Sequence, residues 1–352
     1  MTEIQNTTDL RTQLALLPKI DLHRHLEGSI RLQTLLDTAK AYKMELPAQD
    51  LEGLRSYVQI TADSPTDSVH FLGKFNLLRR FFFSQEVIQR VTHEAIEDAA
   101  ADNVKYLELR FTPKALSKLM SFSFDEVVRW VCDAAQQAQQ TYNIRVRLIV
   151  SMNRHENIRD GERAIQAALA NRSRGVVAID LAGQEVGNSA RPFFAMFAAA
   201  RATGLGITVH AGEWAGPANV RDAILHMGAQ RIGHGVQIIE NNRIAHLALE
   251  RGIIFEVCPT SNIQSGAVPA MYSHPLRDMV HLGLKATLNT DDPSVSNITL
   301  CDEMQMSIEK LGLTLEEVKH MILTAAQSAF LPDEERIALV AYFTNALLPI
   351  SQ

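Results

Sequence analysis

An α/β fold of the (β/α)8 TIM-barrel type is what this 352-residue sequence predicts, as a single domain over residues 1–352 with additional helices after strand 1 covering the barrel mouth. Two observations point there. Eight short apolar runs alternate with longer helical stretches, and titratable side chains stand just beyond those runs, at the end where such barrels build their sites. A hydrophobic share of 46% suffices for one large core, and barrels of this length commonly form one domain.

The first run, "KIDLH" (19–23), leads into the pattern HRH. Strands two to four are "VKYLELRF" (104–111), "IRVRLIVS" (144–151) and "GVVAIDLAG" (175–183). The remaining four are "GITVHAGE" (206–213), "QRIGHG" (230–235), "GIIFEVCP" (252–259) and "LKATLNTDD" (284–292). Between them lie amphipathic stretches such as "FDEVVRWVCDAAQQAQQTY" and "NNRIAHLALERG", the second closing on the glycine expected past a helix C-terminus. Residues 30–103 are too many for one crossover helix. Their aromatic-rich "HFLGKFNLLRRFFF" is expected over the barrel mouth, with peripheral packing as the alternative.

Composition excludes several classes. A net charge of -6 and a pI near 6.1 come from dispersed charges, so no basic stripe invites nucleic acid or a membrane surface, and a small-molecule substrate fits better. Cys132, Cys258 and Cys301 are too few and scattered for a disulfide framework, and no CxxC pair suggests a thiolate metal site. A reducing cytoplasm is the expected location. The N-terminus lacks the basic-then-apolar pattern of an export signal, and no run reaches the roughly 18 apolar residues of a membrane span. "NTT", "NRS" and "NIT" match a glycosylation pattern too short to carry weight.

The strand ends carry the chemistry. His23 and His25 follow strand one, His210 and Glu213 strand five, His234 strand six, Asp291 and Asp292 strand eight. In an extended chain alternate side chains share a face, so HRH presents both imidazoles one way and Arg24 the other. On its own HxH is a weak sign of metal, and a hydrogen-bonded structural pair is the commoner explanation. His210 and Asp291 shift the balance, because imidazoles with one carboxylate and an open position suit Zn²⁺. A purely structural zinc site would leave Glu213, His234 and Asp292 unexplained, whereas a hydrolytic one uses them. A carboxyl group in a partly dry pocket, such as Glu213 in "HAGE", can be raised to serve as an acid. In "NTDDPS" the two carboxylates point apart, although a turn with a capped helix start explains that segment alone.

Together the segments "LPKIDLHRHLEGSI", "HFLGKF", "YLELRFTP", "AIDLAGQE", "TVHAGE", "RIGHG", "CPTSN" and "LNTDDP" resemble, in order, the adenosine deaminase family of zinc-dependent purine deaminases. The likeness runs from residue 17 to at least residue 300. It implies one Zn²⁺ per chain held by His23, His25, His210 and Asp291, and Glu213 as proton donor to purine N1. By the same likeness His234 and Asp292 hold the attacking hydroxide, the Gly183 backbone faces purine N3, and Phe71 and Leu72 wall the purine. His25 and Asp292 also count among the substrate contacts.

The resemblance implies hydrolytic deamination of adenosine and 2′-deoxyadenosine, with protonation of N1 exposing C6 to attack. One position departs from the many adenosine-specific members: Glu27 stands in "HLEG" where Asp often contacts the ribose 5′-hydroxyl. Adenine, or a 5′-modified adenosine such as aminodeoxyfutalosine, is therefore the alternative substrate. Two other classes compete. A binuclear hydrolase would use a carbamylated Lys on strand four, and "GVVAIDLAG" has none. A non-catalytic purine-binding barrel would be favoured by loss of Glu213 or His234, and both are present.

Overall fold

In the computed structural model, which describes residues 9–348, eight parallel strands follow one another around a barrel in chain order. They are β1 (Lys19–His25), β2 (Val104–Phe111), β3 (Arg145–Asn153), β4 (Val176–Ala182), β5 (Gly206–His210), β6 (Arg231–Gly233), β7 (Ile254–Val257) and β8 (Lys285–Leu288). The eight apolar runs of the sequence are these eight strands. Both faces of a parallel barrel strand are covered, one by the interior and one by helices, which is why the runs read as continuously apolar rather than alternating.

The barrel closes differently from the way it propagates. Strand β8 meets β1 through an isolated bridge between Arg24 and Asp291. The Leu22 amide donates to the Asn289 side chain at 3.0 Å. Beyond β8, the Asp291 amide donates to the His23 carbonyl at 2.8 Å, and the His25 amide to the Asp291 carbonyl at 2.7 Å. Backbone pairing thus fixes Asp291 against the two histidines of HRH. Its φ is +60° and that of His234 is +59°, left-handed values that non-glycine residues rarely adopt and that concentrate at functional positions.

Five α-helices and a 3-10 turn (Arg79–Phe81) separate β1 from β2: α1 (Leu32–Tyr42), α2 (Leu51–Val58), α3 (Ser68–Gly73), α4 (Phe75–Leu78) and α5 (Gln85–Ala101). Side chains cap their starts where the sequence supplies them. Asp50 accepts from the Gly53 amide, Asp67 from that of His70 and Ser84 from that of Val87. Helix α5 is the ordinary barrel helix and packs on α6 (Phe124–Thr141), whose Val127, Val128, Val131, Ala135 and Ala138 are buried. That spacing of three and four residues makes one apolar stripe. A capping box between Ser123 and Glu126 opens α6. Helices α3 and α4 instead lie at the mouth, where Phe71, Leu72 and Phe75 line the cavity described below. Mouth cover, rather than peripheral packing, is the arrangement observed.

Two strands, β2 and β7, turn into helices with hardly a loop, and β8 does so after residues 289–292. Pro113, Pro259 and Pro293 each stand at the start of a helix directly after Thr112, Cys258 and Asp292. Proline fixes φ near the helical value and lacks the N–H that the first turn cannot satisfy. These abrupt junctions hold the strand-end side chains at fixed positions around the mouth.

Candidate active site

Four ligand-type side chains converge at the C-terminal end of the barrel. One nitrogen each of His23, His25 and His210 and an oxygen of Asp291 all lie within 4.8 Å of one another. His23 Nε2 sits 3.3 Å and His25 Nε2 3.4 Å from Asp291 Oδ1, and the Nε2 atoms of His25 and His210 are 3.2 Å apart. Arg24, between the two histidines, faces away, toward Ser29 at 3.4 Å, as an extended strand requires.

A second ring of charged residues orients these imidazoles. His23 Nδ1 is 2.8 Å from Glu256, and His210 Nδ1 is 3.0 Å from Asp180. Burial opposes charge on both carboxylates. His210 and Arg110 outweigh it at Asp180, and Arg110 and Arg231 do so at Glu256, so both are held below the usual carboxylate range. Being anionic they accept, so the proton of each imidazole is on Nδ1 and its Nε2 lone pair faces the centre. The buried Arg110 guanidinium joins the two, 3.3 Å from Asp180 and 2.7 Å from Glu256.

This donor set fits a metal ion. Burial pulls His25 and His210 down, which favours the neutral form that ligation requires. At His23, burial and Arg110 also pull down, but Asp291 and Glu256 on its two sides outweigh them and raise it. A positive charge between His23 and Asp291 is therefore favoured, and His23 Nε2 is buried without a hydrogen-bond partner to supply one. Three imidazoles and a carboxylate are nitrogen and oxygen donors of the kind that hold a divalent metal ion.

His234 is held in the opposite sense. Its Nδ1 lies 3.0 Å from the Asn262 amide nitrogen, while His274 meets the Asn262 oxygen at 3.4 Å. Asn262 therefore donates, His234 accepts on Nδ1, and its Nε2–H points into the site. That atom is 3.7 Å from Glu213 and 3.9 Å from Asp291. Burial pushes the Glu213 carboxyl well above its usual range, and Asp291, Glu185 and Asp292 add to the push. Asp292 precedes the helix Pro293–Ser296 but makes no cap bond to it, and its Oδ1 is buried without a partner. Gly28 permits this approach, since a Cβ there would lie 1.9 Å from Asp292 Oδ1.

These residues surround a cavity of about 460 Å³, within the range of small-molecule sites. Of the residues singled out in the sequence, His25, Glu27, Phe71, Leu72, Gly183, His210, Glu213, His234, Asp291 and Asp292 line it, and His23 is fully buried behind them. Gly183 has φ +85°, and a Cβ there would meet His155 Nδ1 at 2.8 Å. Glu27 accepts from the Thr112 amide at 2.8 Å through one oxygen, and its other oxygen is buried without a partner.

A family model described as adenosine deaminase matches residues 18–345. The chain belongs to the adenosine deaminase family. It is 38% identical to an adenosine deaminase of Shigella flexneri over 92% of this chain and 96% of that one. Among solved structures, an amidohydrolase from Burkholderia ambifaria with bound Zn superposes with a TM-score of 0.87 at 26% identity, covering 98% of this chain and 94% of that one. An Arabidopsis protein complexed with IMP superposes with a TM-score of 0.84 at 28% identity, covering 95% and 98% respectively. The barrel is the fold of these neighbours.

Sequence reasoning missed the residues behind this family's strand-end pattern. Asp180, Glu256 and Arg110 lie mid-strand in "AIDLA", "IFEV" and "ELRF", and all three are fully buried. The signal was there: a charge inside an otherwise apolar barrel strand must face a partner in the interior. Glu185 was also passed over. Its carboxylate accepts from the amides of Gly212, Glu213, Trp214 and Ala215 at 2.7 to 3.0 Å and so shapes the loop that carries Glu213.

Proposed function

We propose that residues 1–352 form one catalytic domain that hydrolytically deaminates adenosine and 2′-deoxyadenosine to the 6-oxo nucleoside and ammonia, with one zinc ion per chain. The observation that carries this reading is the meeting of a metal-type His23, His25, His210 and Asp291 set with a protonatable Glu213 in one cavity. His23, His25, His210 and Asp291 would hold the ion, which when bound supplies charge that makes a water acidic near neutral pH. Zinc is supported by the donor types and by the zinc found in the Burkholderia neighbour.

The chain's own residues account for the rest. Glu213, kept protonated by burial and by Asp291, Glu185 and Asp292, gives its proton to purine N1. Protonation drains the ring and opens C6 to attack by water. The unpartnered Asp292 oxygen accepts from that water, and His234, its Nε2–H directed inward by Asn262, stabilises the oxygen as charge develops. The proton that the water gives up to Asp292 passes to the amine, which leaves as ammonia, and the C6 hydroxyl proton returns to Glu213, leaving the 6-oxo purine. Phe71, buried on the mouth side, and Leu72 wall the purine and exclude bulk water, while the Gly183 backbone faces N3.

The partner is a small purine nucleoside, and the protein acts in a reducing cytoplasm, a reading supported by three buried, unpaired cysteines. No helix among the described residues is long and apolar enough to cross a membrane. Glu27 keeps adenine and 5′-modified adenosines as alternatives. An absorbance assay of the zinc-loaded protein on adenosine, 2′-deoxyadenosine, adenine and 5′-modified adenosines tests the reading. Turnover of adenosine well above adenine is expected, and turnover of none of them refutes deamination.

A further inference from the structure

The cavity mouth carries a cation that the reaction does not use. Arg79 lines the cavity and is exposed. Among the described residues no carboxylate lies within ion-pair distance of it, and its guanidinium carbon stands over the Phe75 ring, 5.6 Å from the centroid. Arg80, next in sequence, turns away to the Glu45 carbonyl at 3.4 Å, and Lys74 to the Ser56 carbonyl at 2.6 Å. Of these three neighbouring cations, Arg79 is the one that lines the cavity. Its field reaches both Glu27 and His155. Asn76 and His155 line the same cavity.

We propose that Arg79, helped by Asn76 and His155, forms an anion subsite at the cavity mouth, and that the preferred substrate is a 6-aminopurine nucleoside carrying an anionic group on its 5′ side. This rests on the deaminase reading. With the purine beside His25, Glu213 and Asp292, as the deaminase reading requires, a sugar directed past Glu27 would carry its 5′ substituent toward Arg79, which lines the same cavity. A guanidinium is suited to the task because its planar fork of N–H donors matches a phosphate or a carboxylate, and Phe75 beneath it restricts its motion. The purine chemistry itself, which proceeds at C6 and N1, makes no use of an unpaired Arg at the mouth.

A different role for Arg79 would be to offset the charge of Glu27 and Asp292, and the test separates the two. Values of kcat/KM are measured for matched substrates: AMP against adenosine, and adenosine 5′-carboxylate against its 5′-carboxamide. The pairs distinguish phosphate from carboxylate as the source of the anion. Wild type, Arg79→Met and Arg79→Lys are compared, with thermal unfolding to verify folding. In parallel, calorimetry measures binding of IMP and inosine to each variant, a readout independent of turnover.

The proposal predicts that wild type favours at least one anionic member by on the order of ten- to a hundredfold, that Met abolishes the preference and that Lys retains part of it. IMP should bind more tightly than inosine by a similar factor that Met removes. Equal rates within both pairs in wild type, or a preference that survives Arg79→Met, overturns the subsite. If Arg79 only offsets carboxylates, Met changes all four substrates alike, which also overturns it. If no 6-aminopurine is deaminated, the deaminase reading fails and the substrate claim with it. Turnover of adenosine without an Arg79-dependent anion preference defeats the subsite alone.

Discussion

Asn262 donates to His234 Nδ1 at 3.0 Å, and this one bond makes His234 a donor to the cavity while His23 and His210 present lone pairs. Asn262→Asp would replace the donor by an acceptor, move the His234 proton to Nδ1 and turn a lone pair toward the reacting oxygen. A fall in kcat on the order of 10²-fold with unchanged zinc content is expected. Activity and metal analysis on one preparation check it, and an unimpaired Asp variant would remove the donor role from His234.

Asp180 acts on the metal side. It accepts from His210 Nδ1 at 3.0 Å and from the Ser151 hydroxyl at 2.9 Å. An Asn in its place no longer enforces the Nδ1–H form of His210. Competition with a chelator should show zinc affinity reduced about 10- to 100-fold. Wild-type affinity would mean that the imidazole needs no such support.

Glu27 offers a free buried oxygen to the cavity. If it accepts from the ribose 5′-hydroxyl, adenosine should exceed 5′-deoxyadenosine in kcat/KM by on the order of ten- to a hundredfold, and Glu27→Ala should erase most of that difference. Two substrates in two proteins form a cycle in which a general loss of stability cancels. If Glu27 instead fills the ribose space, adenine is the better wild-type substrate and Glu27→Asp improves adenosine.

Glu303, in the helix Leu300–Glu309, is fully buried and accepts from the Thr260 amide at 3.1 Å. Burial raises its carboxyl from an ordinary 4.5 to about 8. Because the folded value is raised, the folded state binds the proton more tightly than the unfolded one. This contribution to stability is full below pH 4.5 and is lost as pH climbs through 8. Glu303→Gln keeps the acceptor without the charge. Its Tm should exceed wild type increasingly from about pH 5 to about pH 8 and level off above that, by an amount equivalent to a few kcal/mol, since a tenfold difference in proton affinity is worth about 1.4 kcal/mol. A constant Tm difference across that range contradicts the assignment.

The strands were legible in the sequence because a barrel strand is covered on both faces, and the site was legible because barrel chemistry gathers where strands end. His210 and Glu213, separated by two residues, announce themselves in "HAGE". Asp180 and Glu256 did not, because a charge within an apolar run carries no spacing signal, and what it touches depends on a strand far away in sequence. Asn262 and Glu185 sat within recognised segments, yet their work is done through backbone direction and side-chain orientation. The mouth helices were ambiguous for a similar reason: an aromatic run fixes that a face is buried and leaves open against what.

One metal ion and the Glu213 proton, acting together, are what removes ammonia from adenosine in the proposed reaction. The most direct measurement adds zinc stepwise to metal-free protein and follows ammonia release from adenosine, in wild type and in Glu213→Gln. Wild-type activity is expected to rise to a break at one equivalent per chain, and the Gln variant to take up the same equivalent yet run roughly 10² to 10⁴ slower. Full activity without metal, a break at two equivalents, or a Gln variant as fast as wild type would contradict it.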